Sequence, residues 1–93
     1  MRNRTTYTNL TTTGQLLNGE GWIAGMYVNS TSSGTVKLYD SLEASGVAGT
    51  GAVIFNTITP VIGYHSLGNV HCTIGCYAEI GATLDVTFLT LES

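Results

Sequence analysis

The residues of this chain best suited to covalent or metal chemistry gather in one stretch: His71, Cys72 and Cys76, with His65 just upstream. A thiolate–imidazole pair would require the His71 ring to reach the Cys72 sulfur. From Val70 to Ala78 the sequence alternates apolar and polar, and successive residues of a strand face opposite ways. That alternation separates His71 from Cys72 and leaves no activated nucleophile. Cys72 and Cys76 share a face, but four residues of one strand separate their Cα atoms by about 13 Å, beyond the roughly 7 Å that a disulfide spans. They are expected as free, buried thiols. They lack zinc-knuckle spacing, and with His65 and His71 they form no complete tetrahedral ligand set. Asp85, placed across a hairpin from His71, would add a surface charge pair and nothing more. The expectation is a non-enzyme with no catalytic residue, no metal and no cofactor.

Two further motifs lead away from chemistry. Gly46 to Gly51 is spaced GxxGxG, the reverse of the dinucleotide fingerprint, and no helix follows to present its N-terminus to a phosphate. It reads as a loop. Asn3, Asn9 and Asn29 each begin an N-x-Thr sequence, which in so Thr-rich a chain without a secretory signal reads as coincidence.

The tyrosines are the stronger signal. Tyr27, Tyr39 and Tyr77 fall opposite the main apolar rows of their strands, where they would form a sugar-stacking platform or a subunit interface. An interface is favoured, because the sequence shows no cluster of acidic and amide residues beside them to hydrogen-bond a sugar.

The elements that position these residues are strands. Val70 to Ala78 and Leu84 to Phe88 alternate with a period of two and are joined through Ile80 and Gly81, the pattern of a β-hairpin with one buried face. Upstream, Gly21 to Asn29 carries Trp22, Ala24, Met26 and Val28 on one side and Ile23, Gly25 and Tyr27 on the other. Ser30 to Gly34 reads as a hairpin loop, Thr35 to Asp40 as the returning strand, and Ala52 to Ile58 as the next, ended by Pro60. Val61 to Asn69 crosses between sheets. No segment has helical periodicity. The fold class expected is all-β: an antiparallel β-sandwich or jelly-roll-like barrel of about six to eight strands. Residues 1–17, polar and Thr-rich, are expected as an extended N-terminal arm that orders against a neighbour, and residues 18–93 as the β-sandwich domain.

Composition bears on partners. Charged residues make up 10% of the 93, against roughly 25% in an ordinary soluble domain, so much of the surface is expected to be covered by other chains. The net charge of −3 argues against nucleic acid, and no apolar run is long enough for a membrane span. Arg2 and Arg4 give the leader a basic character. The expected partner-binding residues are Arg2, Arg4, Tyr7, Tyr27 and Tyr39.

The runs Gly34 to Asp40 (GTVKLYD), Val53 to Pro60 (VIFNTITP), Gly63 to Asn69 (GYHSLGN) and Cys76 to Gly81 (CYAEIG) resemble small structural proteins of tailed bacteriophages, most of all the short β-sandwich decoration, or cement, proteins of phage heads. The resemblance implies an all-β sandwich, made in the host cytoplasm and carried on the capsid surface of the virion. It would bind the major capsid protein and clamp neighbouring subunits, as a homotrimer. It implies no active site. A tail or fibre connector, or receptor-contacting module, and a carbohydrate-binding β-sandwich are the alternative readings.

Overall fold

The computed structural model describes residues 4–42 and 52–92. They form six strands and no helix: β1 (Arg4–Leu10), β2 (Gly14–Leu17), β3 (Gly21–Asp40), β4 (Ala52–Ile58), β5 (Gly63–Cys72) and β6 (Cys76–Glu92). Every pairing is antiparallel. The all-β, antiparallel expectation is met. The expected loop from Ser41 to Gly51 lies, from residue 43 onward, outside the described residues.

The spine is the pairing of β3 with β6, which runs from Gly21 opposite Glu92 to Tyr39 opposite Tyr77. A straight strand of 20 residues would be about 66 Å long, yet the molecule's longest dimension is 39 Å. The ladder therefore doubles over. Its bend lies where the register slips, between Val28 and Ser30 and again between Ser32 and Ser33. Ser33 and, on the facing strand, Ala82 adopt left-handed backbone, with φ of 59° and 55°. Gly34 is needed at the bend because a β-carbon there would stand 2.6 Å from Cβ of Leu84. Both ends of β3 consequently reach the same end of the molecule. Gly21 pairs with Cys72, while the Asp40 carboxylate binds the residues immediately after it.

Each half of the spine gains its own flanking strands. The first leaf is β1, the C-terminal half of β6, the N-terminal half of β3, then β5. The second is β2, the rest of β6, the rest of β3, then β4. Ile23, Met26, Val28 and Phe88 of the first leaf and Val36, Leu38 and Ala78 of the second belong to one buried cluster. Burial of each such large side chain contributes about 1.5–3 kcal/mol, which is what closes the leaves on one another.

Four expectations are corrected. Residues 30–34 and 80–81 do not separate hairpin strands: residues 30–34 are the bend inside β3, and Ile80 and Gly81 pair in register with Val36 and Thr35 within β6, next to its bend at Ala82 and Thr83. Residues 4–17 do not stand apart as an arm: β1 pairs in register with β6 from Arg4 opposite Glu92 to Leu10 opposite Val86, and β2 pairs with the start of β6. Trp22 does not share a face with Met26 and Val28, because the register shift between Ile23 and Gly25 inserts a residue and reverses the parity. Ile23 is buried in the core and Trp22 turns outward. Ile74 is 54% exposed, since residues 73–75 form a turn rather than a continuation of the strand.

Candidate functional site

The outer face of the first leaf is the most distinctive surface of the molecule. Register fixes its layout. Asn9, Thr87, Tyr27 and Tyr64 stand side by side across β1, β6, β3 and β5. The next outward row holds Tyr7, Leu89, Gly25 and Ser66, and the one beyond it Thr5, Leu91, Trp22 and His71. Tyr7 is 74% exposed, Tyr64 51% and Tyr27 47%. Sheets normally turn polar residues outward on such a face, so this density of rings is unusual.

Gly25 lets one ring lie down. A β-carbon at residue 25 would fall 2.6 Å from Cζ of Tyr64 and 2.9 Å from the His65 carbonyl oxygen, so the phenol of Tyr64 occupies the space a side chain would take. Tyr64 reaches from β5 over β3, its tip against the glycine backbone and half its surface open. Trp22 is held upright differently, stacked on the His71 ring with centroids 5.0 Å apart and planes 24° from parallel. His71 is in turn fixed by Glu20, its Nε2 2.7 Å from Oε2.

A polar group adjoins the rings at the bend end. The Asp85 carboxylate accepts from Nδ2 of Asn9 at 2.7 Å and from Nδ2 of Asn29 at 3.1 Å. Both amides also donate to Oγ1 of Thr87 at 3.1 Å, and Asn9 to the Val86 carbonyl at 3.2 Å. Hydrogen bonds from Asn9 first and Asn29 second hold the Asp85 carboxyl below its ordinary range. Both amide nitrogens donate within the cluster, which leaves the amide carbonyl oxygens and the rest of the Asp85 carboxylate to accept from a ligand. This is the acid and amide cluster that the sequence did not reveal. Its members lie on three strands and meet only through pairing.

Of the partner-binding residues expected from sequence, the structure brings Tyr7 and Tyr27 onto this face. Arg2 lies outside the described residues, and Arg4 stands in β1 opposite Glu92. Tyr39 is corrected: it is 4% exposed, on the second leaf, and cannot belong to an exposed platform. Its ring lies 6.4 Å from that of Tyr77, Lys37 Nζ sits 5.1 Å above it, and its hydroxyl donates to Oε1 of Glu79 at 2.9 Å. Tyr77 is buried too. Trp22, Tyr64 and the Asp85 cluster were not anticipated. The residue types of Gly63 to Cys72 show no apolar–polar alternation to turn Tyr64 outward, and for the others the signal depended on the bulge and on register.

The thiols are also placed differently from expectation. Cys72 ends β5 and Cys76 begins β6, and the turn between them brings the side chains to hydrogen-bonding distance instead of spreading them along one strand. Both remain free and buried. That hydrogen bond draws the Cys72 thiol down against burial and the Asp40 charge, and with burial it pushes Cys76 far up. Asp40 clasps the turn: its carboxylate accepts from the backbone N–H of Thr73, Ile74 and Gly75 at 3.0, 2.8 and 3.1 Å and from the Thr73 hydroxyl at 2.9 Å. Asp85 is nowhere opposite His71; it stands across from Ser30, because residues 76–92 run as one strand beside β3.

A cavity of about 310 Å³ opens on the second leaf, lined by Thr13, Thr35, Lys37, Thr57 and Glu79 to Gly81. It brings one cation and one anion together with hydroxyls, without a nucleophile beside a base. Among the described residues no three His, Cys, Asp or Glu side chains stand close enough to hold a metal ion. Comparison with protein families, with curated proteins and with solved structures finds no match for this chain.

Proposed function

We propose that this chain is a virion structural protein, a decoration protein that sits on the outside of a tailed-phage head, binds the major capsid protein and stabilises contacts between its subunits as a homotrimer. The observation that carries the proposal is a margin of exposed aliphatic side chains beside a core that is already complete. Val53 and Ile58 of β4 are 46 and 40% exposed, and Val61 and Ile62, in the connection that leads from β4 to β5, are 69 and 61% exposed. Side chains of this kind contribute little to folding where they stand and gain by being covered. The scarcity of charge works in the same direction, since a chain in which only 10% of residues are charged is little protected against association. A contact of ordinary size, about 800 Å² per partner, would cover this margin, and repetition over a symmetric lattice would multiply its strength.

The pairing of β1 and β2 within the sheet alters the mechanism expected from sequence. Attachment would run through the β4 margin and the open strand edges rather than through a detached arm.

The test is particle composition together with a surface variant. Purified particles should contain the protein at a copy number matching capsid threefold positions. Val61→Asp with Ile62→Asp should leave the isolated fold intact and lower capsid binding at least tenfold. A few copies per particle would move the protein to the tail or a fibre, and unchanged capsid binding by the double variant would reject the β4 margin as the contact.

A further inference from the structure

We propose that the outer face of the first leaf is a binding site for a neutral glycan, an uncharged polyhydroxylated chain lying across β6, β3 and β5 between Asp85 and Trp22. This goes beyond the structural role and draws on the outer face of β6, β3 and β5 rather than on β4.

The chemistry of the face selects the ligand. Its rings offer flat apolar surface, and Tyr64 is laid down on Gly25 so that its open half is presented to solvent. A sugar ring has a matching apolar C–H face and an equatorial rim of hydroxyls. Beside Tyr27 stands a rigid set of acceptors, the Asp85 carboxylate and the carbonyl oxygens of Asn9 and Asn29, whose amide nitrogens are tied to Asp85 and Thr87. Hydroxyl donors satisfy such a set without bringing any charge. The three outward steps along the strands from Asp85 to Trp22 cover about 20 Å, which suits an extended oligosaccharide rather than one ring.

Other occupants fit less well. Among the described side chains of this face none is Lys or Arg, and the carboxylate of Asp85 repels phosphates, sulfates and acidic sugars. An apolar protein surface would cover the rings but would strip water from Asp85 and both asparagines with nothing to replace it. A ligand that is apolar on one side and hydroxylated at its edge meets both requirements.

Trp22 is the only tryptophan, so its emission reports on the face directly. Malto-, cello-, chito- and mannohexaose are titrated against the purified protein, with heparin as an anionic control. At least one neutral hexasaccharide should produce a saturable change in emission, and heparin none. Tyr64→Ala and Asp85→Ala should each weaken that binding at least tenfold, Tyr64→Phe should retain it, and Val53→Asp, exposed on β4 opposite Tyr39 of the second leaf, should leave it unaltered. Thermal melting of each variant separates lost binding from lost folding. The proposal is overturned if none of the four sugars binds, or if Tyr27→Ala with Tyr64→Ala binds as tightly as the parent. If those tyrosine variants instead lose capsid binding while no sugar is bound, the face is a protein contact: the glycan proposal fails and the virion reading survives.

Discussion

The phenol of Tyr64 fills the space above Gly25 that a β-carbon would otherwise occupy, joining β5 to β3 across the outer surface of the sheet. Two residues 39 positions apart in sequence thus determine whether one aromatic ring stands upright or lies flat. The rest of the aromatic face is arranged around that contact.

Gly25→Ala tests it directly. The added methyl meets both the Tyr64 ring and the His65 carbonyl, so the ring must swing away or β5 must shift. Overpacking of this kind costs about 1–3 kcal/mol. Urea denaturation should show that loss, and the Tyr64 ring resonances should move toward exposed values. Unchanged Tyr64 shifts would mean the ring does not rest on residue 25.

Asp40 should couple stability to acid. Partial burial raises its pKa, but the bonds from Thr73, Ile74 and Gly75 outweigh burial and leave it below the usual 3.8. A carboxyl depressed in the folded state stabilises above its unfolded pKa, and that stability is lost as pH falls through the folded value. Asp40→Asn should therefore cost about 1–2 kcal/mol at pH 7, and the gap from the parent should narrow as pH falls below the ordinary carboxylate value of 3.8 and through the folded one. A gap that stays constant from pH 7 to pH 2 would show that the clasp does not depend on charge.

The thiols provide an independent measure of the same turn. Cys72 and Cys76 are fully buried, so a thiol reagent such as 5,5′-dithiobis(2-nitrobenzoate) should react slowly with native protein and with both cysteines once it is unfolded. Asp40→Asn should speed native labelling about tenfold, because a loss of about 1.4 kcal/mol in holding the turn closed is a tenfold rise in its open population. Equal rates in parent and variant would exclude the turn as the route of access.

Deletion of residues 1–17 distinguishes a strand from an arm. Leu16 and Leu17 are buried in the core, Thr6 hydrogen-bonds Thr90 at 2.9 Å, and Nε2 of Gln15 reaches the carbonyls of Leu17, Ser41 and Cys76. Removing them strips one edge from each leaf, and the truncated chain should lose cooperative thermal unfolding. A sharp transition within a few degrees of the parent would show the leader to be dispensable to the fold.

What the sequence determined by itself was local. Alternation identified strands at Ala52 to Ile58 and at Leu84, Val86 and Phe88, and the absence of helical spacing made the chain all-β, because a residue's facing depends on its immediate neighbours alone. Only the tertiary structure decided what depends on pairing. A polar, glycine-ended stretch such as Ser30 to Gly34 has the same composition whether it turns a hairpin or bends one long strand, and the facing strand settles which. One inserted residue between Ile23 and Gly25 reverses every side chain before it, which is how Trp22 came to face outward. Asn9, Asn29 and Asp85 meet because antiparallel register sets β1, β6 and β3 side by side, and register is a property of the assembled sheet.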